Sequence, residues 1–128
     1  MLSHFVQTTF PEDKLIVLAK GRTAKIALAL VALIKDRVAG IVLIAPDVSQ
    51  ELMSPIKEIP VLLVWSEEDP LVSFTKSKQV EEAFLHVTPL YFDHILHPGV
   101  SLLEAHNPEL VKLDLFASSL QEWTQTLA

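Results

Sequence analysis

The sequence predicts an α/β protein, a three-layer sandwich in which a mostly parallel four-stranded sheet lies between helices. Short apolar runs without polar alternation recur along the chain, as expected for strands covered on both faces. Segments rich in helix formers separate most of these runs, and strands that alternate with helices form parallel sheets with right-handed crossovers. With 128 residues the chain suits one compact domain, so residues 1–128 are expected to form a single domain.

The predicted strands are short, apolar and rich in branched residues, which favours strand over helix. The last of them contains more polar residues than the others, so we expect it near an edge of the sheet. The four runs are Leu15 to Ala19, Ile41 to Ala45, Val61 to Trp65 and Pro89 to His94.

Helices are predicted around these strands. Arg22 to about Arg37 consists of strong helix formers with apolar residues nearly all round, which predicts a largely buried helix. Further helices are expected from Ser73 to about Leu85 and from Pro108 nearly to Ala128, and Met1 to Phe10 also has apolar residues at helical spacing. The inward positions expected on the two later helices are Phe74, Val80, Ala83 and Phe84, and then Leu110, Leu113, Phe116, Leu120 and Trp123.

Two segments around these helices have local signals of their own. Asn107, Pro108 and Glu109 are typical of a helix start, with a capping side chain, a proline in the first turn and an acid at the positive end of the dipole. Val48 to Ile59 has no strong pattern and is expected to be a connection with a turn of helix.

Composition excludes several functional classes. The net charge of −6 argues against nucleic-acid binding, which needs a clustered basic surface. There are no cysteines, and the five histidines show no helical metal-ligand spacing, so neither a metal nor a cofactor is expected. No apolar run reaches the roughly 18 residues of a membrane span, and no signal peptide is seen, so we expect an intracellular protein, cytoplasmic or organellar.

The turn after the first strand draws attention because strands that turn sharply into helices often present a residue for chemistry at the tip. Here the turn is Lys20-Gly21-Arg22, and the residue at its tip is Gly21, which has no side chain. Such a turn could also bind an anion through backbone N–H groups, which leaves a flavodoxin-like or phosphate-binding fold as an alternative.

Several segments, in the right order, resemble the C-terminal half of the α/β-hydrolase fold family. The segment Ile59 to Val72, with the sequence IPVLLVWSEEDPLV, resembles the strand that leads to the family's acid. Val42-Leu43-Ile44-Ala45-Pro46 resembles the strand before it. His97-Pro98-Gly99, and the residues from Leu103-Glu104 to Pro108-Glu109, resemble the histidine loop and the start of the final helix.

The resemblance places Gly21 at the position of the nucleophile. The family holds its nucleophile in a G-x-S-x-G elbow, and the corresponding residues here are Ala19-Lys20-Gly21-Arg22-Thr23. Glycine adopts the strained backbone of that elbow at little cost, so the turn can persist without its chemistry. Neither Arg22 nor Thr23 is a natural substitute, because the helix directs both side chains elsewhere.

The same resemblance assigns Asp69 to the acid, whose role is to orient a histidine. The alternative for Asp69 is a solvated turn aspartate before Pro70. The family's Gly-His pair falls near Gly99-Val100, where valine replaces histidine. His97 could substitute if the loop were shifted, and otherwise it lies in a solvated loop.

The front half of the hydrolase fold, including the loop that completes the oxyanion hole, has no counterpart in this chain. The strand Leu15 to Ala19 would therefore have one open, apolar edge, which is an aggregation hazard unless it is covered. We expect this edge to be covered by a protein partner or a second copy, with Leu15, Val17 and Ala19 in the interface, or else by the N-terminal helix folding across it.

Two hypotheses about function follow. The first is a non-catalytic hydrolase-like domain that acts as a protein-binding or structural subunit. The alternative is residual esterase or lyase activity that uses Asp69 and His97 and is completed by a partner chain. The missing nucleophile makes the first the leading expectation.

Overall fold

The computed structural model describes residues 14–92 and 106–127. Strands and helices alternate along most of this part of the chain, and short 3₁₀ turns connect several of them. The strands are β1 (Leu15–Lys20), β2 (Val38–Ile44), β3 (Val61–Ser66) and β4 (Val87–Phe92). The helices are α1 (Ala24–Leu33), α2 (Gln50–Met53), α3 (Ser77–Ala83), α4 (Pro108–Val111) and α5 (Leu113–Gln125).

The strands form one sheet in the order β1-β2-β3-β4, and every neighbouring pair is parallel. This confirms the predicted four-stranded parallel sheet, and β4 lies at an edge as expected. Because the described strands follow one another without a reversal of order, the sheet lacks the switch point of a flavodoxin-like fold.

Helices cover both faces of the sheet, which confirms the three-layer prediction. On one face α1, α2 and α3 pack with Trp65 and the other side chains of a large core. On the opposite face α5 packs through Phe116 and Trp123. Gly40 allows this contact, since a Cβ there would lie 2.6 Å from the Trp123 ring.

The first helix differs from its prediction. It is not largely buried: Ala24, Leu28 and Val31 are inside, whereas Ile26 and Leu33 are exposed. A helix that covers a sheet in a single layer buries one face only, because nothing among the described residues packs on its outer side.

The C-terminal helix is also different, because the chain breaks at Lys112 into α4 and α5. The two helices do not share one inward stripe, and Leu110 and Leu113 are exposed although we expected them inside. Phe116 and Trp123 are buried as predicted, and Leu120 packs against the same cluster.

Strand β1 lies at the other edge of the sheet and, among the described residues, pairs only with β2. Its odd-numbered residues Leu15, Val17 and Ala19 pack into the core below α1. The exposed side chains are Ile16 and Leu18, at 45% and 54% of full exposure, on the face that α5 covers elsewhere. The predicted interface residues thus contribute backbone to this edge of the described sheet, and the exposed apolar side chains are their neighbours.

No helix among residues 14–92 and 106–127 is both long enough and apolar enough to cross a bilayer.

Candidate functional site

Gly21 follows β1 directly, at the carboxyl end of the sheet, and has a left-handed φ of +54°. This conformation favours glycine because a Cβ would crowd the backbone. The carbonyl oxygen of Gly21 accepts a hydrogen bond of 3.0 Å from the backbone N–H of Asp47, just beyond β2. The turn is therefore fixed to the neighbouring strand end. Arg22 and Thr23, which follow, are exposed.

Asp69 lies in the turn after β3, and its side chain is 0% exposed. The oxygen Oδ1 accepts hydrogen bonds of 2.8 Å from the backbone N–H groups of Leu71 and of Val72. The alternative of a solvated turn aspartate is therefore wrong. Burial of a carboxylate is tolerated here because backbone donors replace its hydration.

The histidine that contacts Asp69 is His106, with Nδ1 2.7 Å from Oδ2. Since an ionised carboxylate can only accept, Nδ1 carries the proton and donates. That leaves Nε2 facing Gly21, 3.4 Å from the position that a Cβ of residue 21 would occupy. The carboxyl of Asp69, the imidazole of His106 and the turn at Gly21 thus lie next to one another in that order. Gly21 has no side chain that could contact the imidazole.

His97, the predicted candidate, lies outside the described residues. His106 was missed because the family pattern places the histidine earlier in the loop. A usable signal was present, however: His106 directly precedes the helix start at Asn107. Residues at the end of a loop that enters a final helix lie near the carboxyl edge of a parallel sheet, where function is concentrated.

A lysine joins the two halves of the site. The Nζ atom of Lys20, next to Gly21, donates to both carboxylate oxygens of Glu109, at 2.7 and 3.0 Å, and to Oδ1 of Asn107. The side chain of Asn107 does not cap α4, contrary to prediction, and instead binds Lys20. The end of β1 is therefore tied to the segment that presents His106.

A cavity of about 530 Å³ opens beside the imidazole. It is lined by Lys20, Gly21, Arg22, Thr23, Leu71, Val72 and His106. A second cavity, of about 570 Å³ and lined by Lys14, Val38 and Pro60 among others, lies where the strands begin. Because ligands of parallel sheets bind at the carboxyl ends of strands, we take the cavity beside His106 as the candidate site.

A second ion pair lies near this edge. Lys76 donates to Oδ1 of Asp47 at 3.2 Å, and this hydrogen bond is the main cause that holds the pKa of the Asp47 carboxyl below its usual value. Both side chains are substantially exposed, so we assign the pair a minor role.

The arrangement can supply a base, and residue 21, which faces that base, has no side chain to serve as a nucleophile. His106, oriented by Asp69, can accept a proton at Nε2 from water or from a bound ligand. Among residues 14–92 and 106–127 no group of three acidic or histidine side chains is arranged to hold a metal ion.

Comparison with known proteins identifies the fold. No family model matches the chain, and no curated protein does. A solved structure described as a predicted CIB-like hydrolase from Thermoplasma acidophilum matches with a TM-score of 0.61 at 20% identity, over 88% of this chain and 55% of the other. The chain thus spans little more than half the length of that protein. Its sheet, its helical layers and this likeness together show an α/β-hydrolase-like fold.

Proposed function

We propose that this protein is a non-catalytic α/β-hydrolase-like domain that acts as a protein-binding or structural subunit of a larger assembly. The observation that supports the proposal is the glycine at position 21. It has no side chain, yet it lies opposite an Asp–His pair of the kind that activates a nucleophile. An acyl-enzyme cannot form at a glycine. Acyl transfer through a covalent intermediate is therefore outside what this turn can do.

The binding role is supported by strand β1. Its outer backbone edge has no partner among the described residues, and Ile16 and Leu18 are exposed beside it. The occupant that we propose is a second copy of this chain, because two equivalent edges related by a two-fold axis can pair antiparallel and continue one sheet across both copies.

Light scattering on the purified protein tests this part of the proposal. We expect a dimer or a larger assembly, because an open apolar strand edge is rarely left unpaired in solution. A stable, soluble monomer at micromolar concentration would contradict the role of β1 as the interface.

The Asp69–His106 pair favours a second candidate function, hydrolysis of an ester by a water molecule in the space above Gly21. In that reaction the water oxygen bonds to the carbonyl carbon while Nε2 of His106 takes a water proton. The same proton then passes to the leaving alkoxide, giving an acid and an alcohol. The single hydrogen bond of 2.7 Å that orients the imidazole is what supports it.

An assay with p-nitrophenyl acetate separates the two functions. The non-catalytic proposal predicts that the wild type and the variants Asp69→Asn and His106→Gln hydrolyse the ester at the same slow rate. His86→Gln, which changes an exposed imidazole elsewhere, corrects for the background reaction of histidines with this ester. Saturable turnover that both site variants lose and His86→Gln keeps would establish the second function instead.

A further inference from the structure

We propose that the cavity beside Gly21 is a binding site for a short-chain organic monocarboxylate, whose carboxylate accepts a hydrogen bond from Nε2 of His106. This inference goes beyond the proposed function and does not depend on it, because a small-molecule site is compatible with either candidate.

The absence of a side chain at residue 21 makes the imidazole accessible. Around the position that a Cβ would take, the atoms within 4 Å are Nε2 of His106 at 3.4 Å and Cε1 at 3.6 Å. Among the described residues nothing else fills this space. A ligand group can therefore approach the free nitrogen from the side where a nucleophile's hydroxyl would otherwise lie.

The charge of the cavity favours an anion. Three of its lining residues are basic or can become so, namely Lys20, Arg22 and His106, and none of the described lining residues is acidic. An acid lies near each of the three, Glu109 beside Lys20, Asp69 beside His106 and Asp47 near Arg22, but none of these acids lines the cavity. The ammonium of Lys20 is neutralised by Glu109, which leaves Arg22 and the imidazole as the groups that a carboxylate would meet.

The pair with Asp69 explains how the imidazole can receive an anion. With Nδ1–H donated to Asp69, the ligand's carboxylate requires a proton on Nε2 as well, which makes an imidazolium held between two carboxylates. Both hydrogen bonds are then charge-assisted. Among the described residues, the charged groups that contact the imidazole, line the cavity or pair with a lining residue are Asp69, Arg22, Lys20 and Glu109.

The volume and the lining residues of the cavity indicate the size of the ligand and the chemistry of the part behind its carboxylate. Its volume of about 530 Å³ suits a small molecule. Leu71 and Val72 form an apolar wall next to the imidazole, which favours a short hydrocarbon chain behind the carboxylate. A neutral alcohol could donate to an unprotonated Nε2, but it would gain no charge interaction with Arg22.

Isothermal titration calorimetry with sodium butyrate tests the proposal, with butyramide and 1-butanol as matched neutral ligands. We expect saturable one-to-one binding of butyrate and at least about tenfold weaker binding of both neutral ligands. Absence of saturable heat, or binding of 1-butanol or butyramide as tight as that of butyrate, would overturn the proposal.

Variants place the binding at this cavity. Gly21→Ala adds a methyl group next to Nε2, and His106→Gln removes the imidazole; both should weaken butyrate binding at least about tenfold. His86→Gln should bind as the wild type does. If either site variant fails to fold, imidazole ¹H–¹⁵N spectra of the wild type decide: butyrate should shift the His106 ring signals, and shifts confined to other histidines would refute the site.

Discussion

Gly21 and His106 lie on opposite sides of a gap the size of one hydroxymethyl group. The backbone at Gly21 has the left-handed φ of +54°, and the imidazole is aimed by a fully buried carboxylate. Each of these features costs free energy to maintain: a left-handed residue and a desolvated acid are both unfavourable unless they are compensated. The compensation here is local, because backbone N–H groups satisfy Asp69 and glycine relieves the turn.

Gly21→Ser should restore a reactive nucleophile. From a Cβ 3.4 Å from Nε2, an Oγ can reach hydrogen-bond distance of His106. We expect a fluorophosphonate probe to label Gly21→Ser at least about 100-fold faster than the wild type, because general-base catalysis contributes about that much. The left-handed φ should lower the free energy of unfolding by roughly 1 kcal/mol.

Labelling is measured by intact-protein mass spectrometry. Gly21→Ala carries the same backbone strain without a hydroxyl, and the double variant Gly21→Ser/His106→Gln has the hydroxyl without its base; both should stay unlabelled. A folded Gly21→Ser protein that reacts no faster than these controls would show that the three residues are not aligned for acyl transfer.

Tyr91 should titrate above its ordinary range. Burial raises the pKa of its phenol, and the hydrogen bond of 2.6 Å to the carboxylate of Glu81 raises it further. Because the chain contains one tyrosine, phenolate absorbance reports this residue alone. We expect a midpoint above the usual value of about 10, moved downward in Glu81→Gln.

The raised pKa also affects stability at alkaline pH. The folded protein holds the phenol proton more tightly than the unfolded chain, so this contribution is complete below about pH 10 and declines as the pH rises further. Urea unfolding of Tyr91→Phe should lack that part of the alkaline loss. A wild-type midpoint at or below about 10 would contradict the prediction.

At the scale of secondary-structure elements, the ion pair between Lys20 of β1 and Glu109 of α4 holds the site together. Lys20 ends β1, and Glu109, only 12% exposed, lies in the first turn of α4. The pair connects strand and helix across the point where His106 enters the site. Neither residue was singled out from the sequence for this role, because their contact spans most of the chain.

Lys20→Met should destabilise the protein by about 1–3 kcal/mol, because it leaves the shielded carboxylate of Glu109 without its ammonium. The double variant Lys20→Met/Glu109→Gln should recover most of the loss. Lys76→Met is the matched control: it breaks a more exposed pair with Asp47 and should cost less than about 1 kcal/mol. Equal losses for Lys20→Met and Lys76→Met in urea unfolding would refute the assignment.

At the scale of the whole molecule, the sheet is asymmetric. Strand β4 has no large apolar side chain among those that are exposed, whereas β1, at the other edge, has Ile16 and Leu18 exposed. If a second copy covers β1, folding and association are linked, and stability depends on protein concentration.

We therefore expect the thermal midpoint to rise as the protein concentration increases from about 1 to 100 μM, since mass action favours the paired state. Ile16→Lys and Leu18→Lys should remove this dependence. Leu85→Lys, at an equally exposed leucine next to β4, should keep it. A midpoint independent of concentration in the wild type, measured by calorimetry, would exclude a second copy as the occupant.

The fold could be predicted from the sequence because it depends on local signals. Short apolar runs such as Val61 to Trp65, bounded by turn residues, indicate buried strands, and their alternation with helices indicates a parallel sheet. Gly21 was also predictable, since the sharp turn and the family pattern converge on it. The burial of helix residues was less predictable from the sequence. Ile26 and Leu33 are apolar but exposed, because burial depends on what packs outside the helix.

What the sequence determined is thus the class of fold, the turn at Gly21, and Asp69 as the candidate acid. What only the tertiary structure decided is that Asp69 is buried, that His106 is its partner, and that Lys20 ties the turn at Gly21 to the segment that presents His106. The physical reason is distance along the chain. Periodicity and turn chemistry act over a few residues, whereas the hydrogen bonds of the site join residues separated by 37 and 89 positions.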